Sequence, residues 1–164
     1  MHVRALDSTD PDDVELGRTL VSEYVEATMM ESEAYGEPVP RSMTRELFPA
    51  CFDFAAVYAQ PGWSYLVLES SDDVIGGAGL RRHDSSTAEM KRMWIRPVHR
   101  RRGAARQLAL DLVDHARTSG YARMILDVVP QREGAIALYR SLGFVASDPV
   151  HEYPFSMIYL AREL

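Results

Sequence analysis

The stretch His99-Arg100-Arg101-Arg102-Gly103-Ala104-Ala105-Arg106 opens the most regular helical pattern in the chain, Gly103–Ser119. Ala105, Leu108, Ala109, Leu112 and Ala116 recur at helical spacing and make one apolar stripe. Gly120 stands where a C-terminal cap belongs. Backbone N–H groups at a helix start have no intrahelical acceptor and lie at the positive end of the helix dipole. Gly103 removes a side chain where a ligand could come close, and Ala104 and Ala105 keep the next positions small. The surrounding arginines offer charge-assisted hydrogen bonds. These features describe a phosphate or pyrophosphate cradle. The alternative at this level is a solvated basic run at a helix start.

Working outward, Thr87–Ile95 is a β-rich run closed by Pro97. Ser64–Glu69 and Val74–Leu80 flank a Ser-Ser-Asp-Asp turn and predict a hairpin. Toward the C-terminus, Arg123–Val129 reads as an apolar strand closed by Pro130. Gly134–Leu142 reads as a short helix ended by Gly143, with Ala135, Leu138, Tyr139 and Leu142 on one face. Phe144–Ala146 and Ser156–Ala161 complete the pattern as strands. At the other end, His2–Leu6 reads as a first strand, and Asp10-Pro11 as a helix start with Asp12 and Asp13 in the first turn. That helix runs to about Met29, with Val14, Val21, Tyr24, Val25 and Thr28 on one face. Glu31–Arg41 reads as loop, and Thr44–Ala59 as a second helix weakened by Pro49. The order of elements is that of an α/β (α+β) chain with a mixed sheet.

Composition bounds the function. The chain has 164 residues, 46% hydrophobic and 26% charged, and reads as a single domain spanning 1–164. No apolar run approaches the length of a membrane span, and the N-terminus has no apolar signal core. One cysteine, Cys51, can neither staple the chain nor build a cysteine-rich zinc site. A reduced, cytoplasmic setting follows as the expectation. The net charge of −6 disfavours general nucleic-acid binding. Standard motifs fail: there is no P-loop and no nucleophile elbow. The third glycine of a dinucleotide fingerprint begun at Gly77-Ala78-Gly79 falls on Arg82. The histidines make no H-x-x-x-H pair, and no metal is expected.

Two blocks resemble a known family. Ala88-Glu89-Met90-Lys91-Arg92-Met93-Trp94-Ile95-Arg96-Pro97, followed by Arg100-x-x-Gly103-x-Ala105, is similar to the signature of the GNAT superfamily of acetyl-CoA-dependent N-acetyltransferases. Ala135-Ile136-Ala137-Leu138-Tyr139-Arg140-Ser141-Leu142-Gly143-Phe144 resembles that family's penultimate helix and exit turn. The resemblance implies a mostly antiparallel mixed sheet of about six or seven strands, splayed between the fourth and fifth and flanked by about four helices. It implies acetyl-CoA as cosubstrate, its pyrophosphate on the helix start from Arg100, Arg101 and Arg102 through Gly103, Ala104, Ala105 and Arg106. The pantetheine arm would lie along Met93, Trp94 and Ile95 like an added strand. Ala135 is a further cofactor contact. Many members have Asn where this chain has Arg132, whose basic side chain would reach a phosphate instead.

The resemblance also assigns chemistry. Tyr139, on an apolar helix face where a tyrosine is ordinarily core, becomes the general acid that protonates the departing thiolate. Glu89 becomes the group that relays a proton from the acceptor amine through water; the plain alternative is a strand carboxylate paired with Arg92 or Lys91. The acceptor is a primary amine of a small molecule, a peptide or a protein. The regions about Met29–Phe54 and Asp148–Phe155 carry Glu31, Glu33, Glu37, Glu46, Asp53 and Glu152 with Tyr35, Phe48, Phe52, Tyr153 and Phe155. Carboxylates with aromatics suit a cationic, partly apolar amine. A catalytically weak acetyl-CoA-binding sensor or partner module is the alternative within the same fold. A homodimer is a common state for small enzymes of this kind.

Overall fold

A computed structural model describes residues 1–71 and 73–164. The hairpin turn expected at Ser70–Asp73 includes Asp72, which lies outside the described residues. The strands are β1 (His2–Ala5), β2 (Ser64–Glu69), β3 (Val74–Arg82), β4 (Thr87–Ile95), β5 (Arg123–Val128), β6 (Val145–Ala146) and β7 (Ile158–Glu163). They form one sheet in the order β1-β2-β3-β4-β5-β7-β6. Every neighbouring pair is antiparallel except β4 with β5. That parallel pair registers only from Thr87↔Arg123 to Met90↔Leu126. Beyond it β4 stays with β3 and β5 stays with β7, so the sheet opens between them.

The helices are α1 (Pro11–Ala34), α2 (Thr44–Leu47), α3 (Phe54–Tyr58), α4 (Ala104–Thr118) and α5 (Glu133–Ser141). Asp10 caps α1 by accepting from Asp12 N, with Pro11 in the first turn. This helix runs five residues past the expected end at Met29, through residues read as loop. Tyr35 then closes it, and the first positive φ follows at Gly36. The second expected helix, Thr44–Ala59, is broken in three. Pro49 has no N–H to continue α2, so a 3₁₀ turn spans Pro49–Cys51 and α3 restarts under an Asp53 cap. The strands β4 and β5 fall where the sequence predicts them, to within one residue.

The core lies on both faces of the sheet. On one face Leu108, Ala109, Leu112 and Ala116 of α4 pack with Leu66, Leu68, Leu80 and Met90. On the other, Leu20 and Val21 of α1 pack with Phe48, Phe54, Tyr65, Val67 and Trp94. The alternation of Tyr65 and Val67 with Leu66 and Leu68 is the two-residue period of a strand buried on both sides. The glycines of β3 belong to this packing. A Cβ at Gly76 would lie 2.1 Å from the Trp94 carbonyl oxygen, and one at Gly77 2.5 Å from the Tyr65 ring. Close approach of neighbouring groups, not a dinucleotide, accounts for them.

Candidate functional site

Where β4 and β5 part, a cleft of roughly 540 Å³ enters the molecule. Its walls are the second half of β4, the end of β5, the Tyr24–Glu31 side of α1, the start of α5, and Tyr153 and Phe155 from the connection into β7. The β4 edge is shaped by a bulge. Gly79 pairs with Lys91 and Gly77 with Trp94, so Arg92 and Met93 stand opposite the single residue Ala78. Arg92 takes φ +56° to make the extra residue fit. A non-glycine residue held there costs on the order of 1–3 kcal/mol, and such positions cluster at ligand sites.

The helix opening lies next to this cleft, with Arg100 and Ala105 in the cleft wall. Gly103, at φ +82°, is the N-cap of α4 and carries no capping side chain. The first intrahelical bond runs from Gln107 N to the Gly103 carbonyl, 3.0 Å. The amides of Ala104, Ala105 and Arg106 are therefore left without an acceptor among the described residues. Arg101 also adopts a positive φ, +60°. Arg101 and Arg102 are exposed and form no ion pair among the described residues. Arg106 donates to Ser141 Oγ, 3.1 Å, joining α4 to α5. Arg100 donates through Nε to the Ile95 carbonyl, 2.9 Å, and its guanidinium stands 4.6 Å from the Trp94 ring centre.

Trp94 turns its indole away toward α1, donating Nε1–H to Glu23 at 2.9 Å. Met93, Trp94 and Ile95 line the cleft along the part of β4 that β5 has left. Ala135, the cofactor contact that the resemblance implies, lines the cleft. Arg132 lines it too, but its guanidinium reaches across to α1. It donates to Glu31 Oε2 and Thr28 Oγ1, both at 2.8 Å, and lies 5.1 Å from the Tyr24 ring centre. It clasps α1 to the start of α5 and has no contact with the α4 opening among the described residues.

Tyr139 projects from α5 into the cleft wall at 7% exposure. Its ring meets Phe144 edge-on, and its hydroxyl donates only to Met93 Sδ, 3.6 Å, a weak acceptor. Burial holds its pKa well above the usual phenol value, reinforced by Tyr24 nearby. The phenol is thus held protonated, and its one proton is engaged only by a weak acceptor.

Glu89 sits elsewhere. Its side chain is fully buried beneath the sheet surface and is absent from the cleft wall. It takes Arg81 at 2.6 Å, Lys91 at 2.8 Å and His151 Nε2 at 2.8 Å. Of the two partners expected from sequence, Lys91 is present; Arg92 points away toward α2, donating to the Leu47 carbonyl. Burial pushes the Glu89 pKa up, but Lys91 and Arg81 together hold it below the usual carboxylate range. His83, Glu89 and His151 come close enough to share an ion. The Arg81 guanidinium already lies 2.9 Å from His151 Nε2 and fills that role electrostatically.

Two further residues were missed by sequence reasoning. Asp127 stands on β5 at the cleft, its side chain 7% exposed, with Lys91 Nζ at 2.7 Å and the Tyr153 hydroxyl at 2.8 Å. Burial raises its pKa, and Lys91 and Tyr153 more than reverse that. The signal was present: one carboxylate inside the apolar run Met124–Val129. Tyr24 is the second, between the guanidiniums of Arg132 and Arg92, which together outweigh burial and lower its pKa.

Residues 24–144 match the model of the acetyltransferase (GNAT) family. Two named relatives show the same likeness. The chain is 40% identical over 95 residues to the uncharacterised N-acetyltransferase YjgM of Escherichia coli, covering 56% of this chain and 57% of that protein. It is 34% identical over 91 residues to human N-acetyltransferase 8, covering 52% of this chain and 40% of that one. The chain spans about half the length of the curated relatives it matches. The fold is shared with PaiA N-acetyltransferase from Thermoplasma acidophilum in complex with coenzyme A, at TM-score 0.72 and 18% identity over 100% of both chains. It is shared also with YncA of Salmonella typhimurium, solved with acetyl-CoA, at TM-score 0.67 and 20% identity over 99% of this chain and 92% of that one. A sheet that opens between its fourth and fifth strands beside an uncapped helix start is thus joined by a family match across most of the sequence, and the chain belongs to the GNAT family of acetyltransferases.

Proposed function

We propose that the chain transfers an acetyl group from acetyl-CoA to a primary amine by direct attack. The observation that carries this reading is the α4 opening. Its amides lack acceptors, Gly103 leaves the space above them clear, and Arg101 and Arg102 have no carboxylate partner among the described residues. Those features fit a diphosphate, which takes backbone N–H bonds and guanidinium charge at a helix start. When bound, acetyl-CoA supplies an electrophilic thioester carbonyl and a thiolate leaving group.

The chain's own groups do the rest. The free β4 edge at Met93–Ile95 orients the arm that runs from the diphosphate into the cleft. The neutral amine forms its C–N bond as the C–S bond breaks. Tyr139 gives the hydroxyl proton to the departing sulfur and recovers one from solvent. The acceptor's own proton leaves along a bonded route. Asp127 and Tyr153 stand at the cleft wall, Lys91 links them to Glu89, and Glu89 meets the partly exposed His151. In this reading Glu89 is a relay behind the wall and does not touch the amine.

The deciding experiment measures thiol release from acetyl-CoA over a panel of primary amines, with calorimetry of coenzyme A binding beside it. Release with at least one amine, together with coenzyme A binding, supports the reading. Binding without release over the panel leaves the sensor module standing in its place. Absence of both for folded protein overturns the reading.

A further inference from the structure

Two cations of the cleft wall form no ion pair among the described residues: Arg100, beside the α4 opening, and Arg92. Lys91 is paired with Asp127 and Glu89, and Arg132 with Glu31. Arg92 is different. It is half-buried, lines the cleft, and forms no ion pair among the described residues. One arm of its guanidinium donates to the Leu47 carbonyl. The group lies 4.7 Å from the Phe48 ring centre and 5.9 Å from that of Tyr24. A guanidinium carries five donors in a planar fork, so a single carbonyl leaves most of them open. The two rings and the left-handed backbone at the bulge hold that fork in place.

The carboxylates that pointed to a cationic acceptor are mostly elsewhere. Glu33, Glu46, Asp53 and Glu152 do not line the cleft, Glu31 is neutralised by Arg132, and Glu37 lines it only from the exposed chain after α1. The inner wall between α1 and β4 is therefore cationic and aromatic. Resting on the proposed acetyl transfer, we infer that Arg92 receives a carboxylate of the acceptor, so that the acceptors are amines bearing a carboxylate, with α-amino acids as the simplest class. A fork with a fixed plane matches the two oxygens of a carboxylate. A coenzyme phosphate is the wrong source for this anion. The contacts of Arg92 are all with the α1 and α2 side, whereas α4 and its opening pack on the opposite face of the sheet.

The test compares the common L-amino acids with their α-carboxamides, with spermidine, and with O-phosphoethanolamine as acceptors. The best amino acid is expected to exceed its own carboxamide in kcat/KM by about 100-fold. In Arg92→Gln that ratio falls to within about threefold, through KM for the acid form; Arg92→Lys restores only part of it. A second readout needs no turnover: calorimetry of the matching N-acetyl amino acid, bound with coenzyme A present, loses affinity in Arg92→Gln by a similar factor. A carboxamide, spermidine or O-phosphoethanolamine used as well as the best amino acid overturns the inference. So does an unchanged ratio in a variant whose melting curve shows it folded. Should Arg92→Gln not fold, the acid-to-amide ratio of the unaltered protein decides alone. If no amine releases thiol, the transfer reading fails. The Arg92 inference is then judged by the binding arm, where failure of every amino acid and N-acetyl amino acid to bind overturns it.

Discussion

Two buried groups, Tyr139 and Glu89, differ in how much their surroundings use them. The Tyr139 hydroxyl has one weak sulfur acceptor, so removing it costs the fold little. Tyr139→Phe is expected to lower kcat by about 100-fold, in line with loss of a general acid, with coenzyme A affinity by calorimetry held within about twofold. Because burial keeps this phenol protonated, the rate should show no falling limb from Tyr139 below about pH 10. A normal kcat in Tyr139→Phe removes the role. Glu89 has three partners and no exposure, and its ionised form is bound up with Arg81 and Lys91. Its pKa and that of Asp127 are depressed in the folded state. Their stabilisation is therefore fully present above the ordinary carboxylate range and is lost as pH falls through the depressed values, below roughly pH 4. Glu89→Gln leaves the buried Lys91 and the half-buried Arg81 short of an anion and is expected to cost about 3–5 kcal/mol in urea unfolding, with a shallower loss of stability in acid. An acid limb unchanged from the parent protein would contradict that account.

At the scale of elements, the α4 start is the feature whose backbone does the binding in the proposed function. Gly103 has φ +82° with open space around its absent Cβ. In Gly103→Ala the methyl meets no protein atom, so the stability loss is set by the left-handed backbone alone, about 1–2 kcal/mol. The same methyl stands where the diphosphate is to approach, and coenzyme A affinity should fall by more than about tenfold. Calorimetry and urea melts on the one variant separate the two effects; equal binding in parent and variant would place the diphosphate elsewhere. The broken α2–α3 segment shows the converse case. The sequence carries a helical pattern through Thr44–Ala59, but Pro49 removes an N–H and Asp53 caps a new start, so two short helices fold around Phe48 and Phe54. That break brings the Leu47 carbonyl and the Phe48 ring to Arg92.

The whole molecule is organised around a sheet that is paired at one end of β4–β5 and open at the other. A ligand spanning that opening bridges β4, α4 and α5, and binds only the folded state. Coenzyme A at about 100 times its dissociation constant should add about 2.7 kcal/mol of stability. For a protein of this size that is a rise of roughly 5–10 °C in Tm. Thermal melts with and without the ligand check this, and the shift should shrink as salt rises, since charge carries part of the contact. No shift at millimolar coenzyme A would remove the bridging role.

The sequence by itself determined the order of the strands and main helices, the β4 and β5 limits, the start of α4 to within one residue and the family, because periodicity, glycines and short motifs are local. Local pattern put Tyr139 and Ala135 on an apolar helix face, the family resemblance made them site candidates, and both line the cleft. Only the tertiary structure decided what Glu89, Arg92 and Arg132 touch. The sequence leaves Glu89 either as a relay through water or as a strand carboxylate paired with Arg92 or Lys91; it lies behind the wall with Lys91, and with Arg81 and His151 drawn from β3 and from the loop before β7. Arg132 was read toward a phosphate and instead holds α1. Arg92 had no reading of its own until the bulge and the broken helix set it in the cleft. The physical reason is the same in each case. A charged side chain is placed by the ions, carbonyls and rings it meets, and those groups are far away in sequence and near only in the folded chain.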